Sequence, residues 1–275
     1  MQHFICVTCG TQFARSAAPP TLCPICNDER QYVAATGQKW TSLDSLRSES
    51  YRNVFKDEEP GLLSMYTEPT FAIGQRAFFI RTPAGNMLWD CLSYIDEETI
   101  RMIREMGGID TIAISHPHYY SSMVEWADTF DALIYIHEAD RQWVMRESDR
   151  IHYWSGDTLL PVQAEGVSLL RTGGHFAGST VLHWEHGAKG QGALLTGDTI
   201  QVVADECWVS FMYSYPNLIP LPASEVEHIW QVVEPYEFAM VYGAFGRVVR
   251  ENGREAVRRS AERYSKAING EYQIR

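Results

Sequence analysis

From Phe71 onward, apolar residues fall in the short runs expected of strands. Phe71–Thr82 is rich in β-branched and aromatic residues, stops at the turn Pro83-Ala84-Gly85-Asn86, and resumes at Met87–Asp90, which is a hairpin signal. The next stretch, Asp96 to Met106, has helical spacing and ends at Gly107-Gly108. Thr111–Ile114 and Ala132–Ile136 read as short buried strands, with a helix over Met123–Phe130 between them. Val167–Leu170, Thr180–Trp184 and Ala193–Leu195 continue the strand set, and helices over Ala223–Val233 and Asn252–Ile268 close the chain. Strands and helices alternate, but hairpins intervene. The pattern predicts an α/β protein built as a layered sandwich in preference to a simple doubly wound sheet.

The first forty residues follow no such pattern. Cys6-Val7-Thr8-Cys9 and Cys23-Pro24-Ile25-Cys26 are two tight Cys-x-x-Cys pairs, thirteen residues apart, each followed by a residue (Gly10, Asn27) that accepts a positive φ. Two such turns bring four thiolates to the corners of a tetrahedron, the arrangement of a structural zinc site. A redox dithiol needs one pair and leaves the other unexplained. Iron in a rubredoxin-like site has the same ligands, although rubredoxins usually hold their knuckles further apart. The sequence thus divides into a four-cysteine zinc-ribbon-like module over 1–40, a polar linker or lid over 41–70, and a main domain over 71–275.

Charge narrows the function. The chain has 275 residues and a formal net charge of −12, and its basic stretch from Arg247 to Arg263 is interleaved with Glu251, Glu255 and Glu262. Nucleic-acid binding needs clustered cations, so it is not expected. No apolar run is long enough to span a bilayer, and Met1–Cys6 lacks the features of a secretory signal. Paired thiols suited to metal imply a reducing compartment, and a cytoplasmic location is expected.

Three segments at predicted strand ends carry candidate chemistry: Ser115-His116-Pro117-His118, Thr172-Gly173-Gly174-His175, and Thr196-Gly197-Asp198-Thr199. Two His one residue apart, a glycine-flanked third His and a carboxylate make a set of three nitrogens and one oxygen for a metal. In this order they resemble the metallo-β-lactamase superfamily, whose pattern is His-x-His-x-Asp-His, a glycine-flanked His, then Gly-Asp. The resemblance runs from about Phe71 to Val249. It implies a four-layer αββα sandwich with His116, His118, His175 and Asp198 holding Zn2+, or Fe2+ as in some members.

The departures fall on one side. The family places Asp at position 120 and His at 121, where this chain has Tyr120 and Ser121; its late Gly-His is replaced within Val241–Gly246. These are the second-metal ligands of dinuclear members, so a mononuclear site is expected. The resemblance implies a hydrolase acting on a small ester, thioester, amide or related substrate through metal-activated water. Asp198 is then a candidate base, and Tyr120 either a proton donor and substrate anchor or a packed aromatic. The alternatives are a non-catalytic member whose zinc module binds a protein partner, and an Fe(II) oxidoreductase. Asp90 is expected to support a ligand from behind, and the aromatic segment 207–220 to cover the site mouth. His137, His183 and His186 are assigned to packing or surface, and Cys91 and Cys207 to buried thiols. His152 and Arg247 are more distant candidates, Arg247 as a cation for an anionic substrate.

Overall fold

A computed structural model describes residues 1–272. Two sheets face each other. The first has seven strands in the spatial order Arg52–Glu59, Leu62–Glu68, Arg76–Thr82, Gly85–Trp89, Thr111–Ala113, Leu133–His137 and Ile151–Trp154. Its first four strands are joined by antiparallel hairpin pairings, and the remainder are parallel. The second has six, ordered Thr158–Leu159, Val167–Arg171, Thr180–Trp184, Ala193–Leu195, Met240–Tyr242 and Val248–Val249.

Burial sorts the side chains into the layers. Phe78, Ile80, Met87 and Trp89 of the first sheet pack between the sheets against Leu169, Leu182, Trp184 and Leu195 of the second. The opposite face of the first sheet, through Phe79, Leu88, Ile112 and Ile134, is covered by the helices Glu97–Glu105 and Met123–Phe130. Leu170, Val181, Leu194 and Val241 of the second sheet lie under the helices Ala223–Val233 and Gly253–Ile268. This is the αββα sandwich. Among the described residues no helix is long and apolar enough to cross a membrane.

The expected linker over 41–70 is overturned. Residues 43–47 form a short helix, and residues 52–59 and 62–68 are the first two strands of the seven-stranded sheet. The main domain therefore begins well before Phe71. Arg52–Glu59 is an edge strand with every position exposed or half-buried, so it lacks the apolar alternation that marks a strand in sequence.

At the N-terminus, Ile5–Cys6 pairs antiparallel with Trp40–Thr41, closing the four-cysteine module on itself. Gly10 takes φ +81°, as the first knuckle requires. Asn27 does not adopt the positive φ expected of it; it ends a one-turn helix begun by Pro24, its N–H donating to the Cys23 carbonyl at 3.0 Å. The module is seated on the sandwich and does not trail from it: the Gln12 N–H donates to the Ser121 carbonyl at 2.9 Å, and Ser93 Oγ donates to the Gly10 carbonyl at 2.8 Å.

Candidate metal centre

Each ligand of the second site leaves the end of a strand on a loop with few conformational options. The strand Thr111–Ala113 runs out into Ser115 and His116, and Pro117 opens a single 3-10 turn that carries His118. Asp90, at the end of the neighbouring strand and with φ +62°, accepts the Ser115 N–H at 2.8 Å and fixes where that turn begins. His175 sits beyond Gly173 and Gly174, both at positive φ. Asp198 follows Gly197, at φ +51°, where a Cβ would come within 2.5 Å of Ser115 Oγ. Only glycine lets these two loops meet.

One hydrogen bond sets the His175 tautomer. A carbonyl oxygen only accepts, so His175 Nδ1, 3.1 Å from the Met212 carbonyl, carries the proton and leaves the lone pair on Nε2. Ser115 Oγ engages His116 Nδ1 at 2.9 Å and leaves His116 Nε2 facing the centre, without a hydrogen-bond partner. Burial, and after it the neighbouring His116, pushes the His175 pKa down to about 4 and that of His118 well below the ordinary value. Both rings are neutral at physiological pH, the form that binds metal.

The separations suit one ion. His118 Nδ1 is 3.3 Å from His175 Nε2, and His116 Nε2 is 3.5 Å from Asp198 Oδ2. A tetrahedron with bonds of about 2.0–2.1 Å has edges of about 3.3–3.4 Å. The four donor atoms lie within 4.8 Å of one another, and Asp198 Oδ1 is also unpartnered. The sulfur cluster is equally regular: Cys6 and Cys26 Sγ are 3.6 Å apart and Cys9 and Cys23 Sγ 3.7 Å, against an edge of about 3.8 Å for bonds of about 2.3 Å. Both donor sets fit a metal.

The surroundings redistribute the expected roles. Tyr120 does not face the centre. Its hydroxyl donates to the Asp140 carbonyl at 3.3 Å, and its ring is buried in the helix-side core, so the proton-donor role fails and the packed-aromatic alternative holds. Its neighbour Tyr119 packs edge-on against His116, centroids 5.2 Å apart, with a buried hydroxyl that has no partner. Burial and then the Asp198 charge push the Tyr119 pKa well up, so the phenol keeps its proton. The tandem Tyr-Tyr offered no signal for choosing between the two, because a 3-10 turn sends consecutive side chains in different directions.

Arg247 is exposed, and the cation beside the centre is Arg30 of the four-cysteine module. Its guanidinium donates to the His175 carbonyl at 3.3 Å and lies 3.9 Å over the Phe176 ring. Nothing in the spacing of Arg30 pointed there. The aromatic segment 207–220 does lie against the centre, through Met212 and through Tyr215, whose hydroxyl donates to the Asp198 carbonyl at 2.9 Å. His152 is exposed, and so is Cys207, contrary to the expectation of a buried thiol; Cys91 is buried. His137 and His183 are occupied by the Gly156 and Glu237 carbonyls.

No family model matches the sequence. The chain is 56% identical over 272 residues to the uncharacterized protein YmaE of Bacillus subtilis (strain 168), with 98% of each covered. The chain belongs to the YmaE family. Among solved structures it is similar to the DIM-1 metallo-β-lactamase, with a TM-score of 0.60 and 12% identity over 78% of this chain and 98% of that one. It is also similar to the mono-zinc form of the metallo-β-lactamase FIM-1 from Pseudomonas aeruginosa (TM-score 0.58, 15% identity, 78% and 96% covered). A metallo-β-lactamase from Hirschia baltica matches at TM-score 0.54 and 14% identity, covering 77% and 97%. At such identities the likeness establishes the fold, which is the metallo-β-lactamase fold. In this YmaE-family chain, Tyr120 and Ser121 are both hydrogen-bonded to backbone carbonyls. The Tyr120 hydroxyl donates to the Asp140 carbonyl, and Ser121 Oγ donates to the Cys91 carbonyl at 3.1 Å.

Proposed function

We propose that the protein is a mononuclear zinc hydrolase acting on a small ester, thioester, amide or related substrate, with a second, structural zinc among the four cysteines. The observation that carries this reading is the pairing of an intact set of three nitrogens and one oxygen with second-metal positions that are hydrogen-bonded into the core. A zinc ion bound there would polarise a carbonyl group and acidify a coordinated water.

The protein's own groups supply the rest. Asp198 Oδ1, unpartnered and buried, accepts the proton or hydrogen bond of the attacking water. The protonated Tyr119 hydroxyl donates to the oxygen on which negative charge develops. Asp90, through Ser115, keeps His116 oriented. Four reduced thiols are consistent with a cytoplasmic protein.

One observation favours a second reading, in which the His-site metal is structural and the protein works by binding a partner. The ligands are only 1–4% exposed, lying beneath Phe176, Arg30 and the segment that carries Met212 and Tyr215. Assaying zinc-replete protein against a panel of esters, thioesters and amides separates the two. Turnover that disappears in His118→Ala supports the hydrolase. No turnover across the panel, with zinc bound in full, sinks it.

A further inference from the structure

The four-cysteine module touches the His site at two places, and each contact starts from a different knuckle. Beside the first knuckle, Gln75 Nε2 donates one hydrogen to the Cys9 carbonyl at 2.6 Å and the other to the His118 carbonyl at 3.1 Å. The amide is buried, so neither carbonyl has water to fall back on. The knuckle is pressed into this seat: a Cβ on Gly10 would lie 2.2 Å from Ser93 Oγ and 3.2 Å from Gln75 Nε2.

Just past the second knuckle, Asp28 grips the Arg30 guanidinium at 2.6 and 2.9 Å and aims it at the His175 carbonyl, 3.3 Å away. The same guanidinium covers Phe176, whose ring lies 5.7, 5.1 and 5.2 Å from the rings of His116, His118 and His175. The Arg30 carbonyl in turn accepts from Ser214 Oγ at 3.1 Å, beside the Met212 carbonyl that sets the His175 tautomer.

We propose that the two metal centres are coupled: an ion on the four cysteines raises the affinity of the His site, with Gln75 and Arg30 as the positioning residues that transmit the effect. The physical basis is ordering. The module's own core is the cysteines with Phe13 and Ile25, backed by half-buried Val33 and Trp40, too little to hold the knuckles without metal. Emptying it frees the Cys9 carbonyl and Arg30, and the loops bearing His118 and His175 must then be ordered by the incoming ion itself. Outer partners of metal ligands are typically worth about 10–100-fold in affinity. Linkage makes the coupling reciprocal, so a filled His site tightens the cysteine site by the same factor. The proposal needs both clusters to bind metal and makes no use of hydrolysis.

The test titrates Co2+ into the His site of the full chain and follows its visible ligand-field absorption. Wild type with zinc on the cysteines is compared with Cys23→Ser, and with Gln75→Leu and Arg30→Met after zinc loading of their cysteine sites. The expected result is a His-site affinity about tenfold or more weaker in Cys23→Ser, and a similar loss in Gln75→Leu despite its loaded cysteines. Arg30→Met should show a smaller loss in the same direction. Equal affinities in wild type and Cys23→Ser overturn the coupling. If Cys23→Ser does not fold, the zinc-loaded Gln75→Leu and Arg30→Met proteins decide, and wild-type affinity in both overturns it. A wild-type His site that takes up no metal sinks the proposed function as well, whereas equal affinities sink only the coupling.

Discussion

His118 Nδ1 lies 3.3 Å from His175 Nε2, although the two residues lie beyond the ends of strands in different sheets and are 57 positions apart. Two neutral ring nitrogens that close repel unless a proton or a cation sits between them. The carbonyl of Met212 holds the His175 proton on the far nitrogen, so His175 Nε2 is a free lone pair, and the unpartnered His116 Nε2 and Asp198 Oδ1 of the same cluster make a cation the occupant that satisfies all of them.

Elemental analysis of the purified chain should therefore find two zinc ions. Cys23→Ser should lose one and His118→Ala the other. Three ions per chain would rule out the mononuclear reading, and retention of both in His118→Ala would remove His118 from the ligand set.

The paired tyrosines give opposite expectations for the same chemical change. Tyr119→Phe deletes a buried hydroxyl with no partner, so thermal stability should hold or rise slightly while turnover falls by about tenfold or more. Tyr120→Phe deletes a hydroxyl bonded to the Asp140 carbonyl and should cost about 1 kcal/mol of stability with turnover unchanged. Melting curves alongside kinetics check both, and the reverse assignment would return Tyr120 to the site.

Gly197→Ala tests the junction of the loops. The added methyl meets Ser115 Oγ at 2.5 Å and Cβ at 2.7 Å, at a φ of +51° that alanine resists. A loss of about 2–3 kcal/mol is expected, with weaker metal binding because Ser115 orients His116. Denaturant unfolding and a zinc titration read the two effects. Wild-type behaviour in both would show that the loops have room to separate.

Asp140 sets a pH dependence. Burial pushes its carboxyl up to about 6, while the Gly178 N–H, His116, Arg30 and Arg171 pull the other way. The folded state therefore holds this proton more tightly than the unfolded chain, whose aspartate titrates near about 3.9. The resulting stability is complete below that value and is lost as pH rises through about 6. Asp140→Asn has no such loss, so its stability relative to wild type should improve between about pH 4 and pH 7, by about 3 kcal/mol at most. A constant difference across that range would show that Asp140 does not titrate this way.

Much of this was legible along the chain. The helix over Met123–Phe130 and the strands that end at the three ligand segments lie within a residue or two of where the apolar periods put them, and the hairpin before Asp90 is there too, although its first strand begins at Arg76 and not at Phe71. Those patterns record burial, and burial is local to each element. The edge strand Arg52–Glu59 escaped because its pairing with Leu62–Glu68 is made by backbone groups that any polar sequence supplies.

Both candidate donor sets were legible in sequence, the four cysteines from their paired spacing and the three His and one Asp from the resemblance of their order to the metallo-β-lactamase pattern. Which tyrosine faces His116, and which arginine reaches the His175 carbonyl, only the tertiary structure decided. Tyr119 and Tyr120 are the same residue type in adjacent places, separated by the rotation of one 3-10 turn. Arg30 reaches the centre because the four-cysteine module folds back across the sandwich. That seating depends on contacts such as Gln75 to Cys9 and Gln12 to Ser121, between segments far apart in the chain, and no local pattern of residues encodes it.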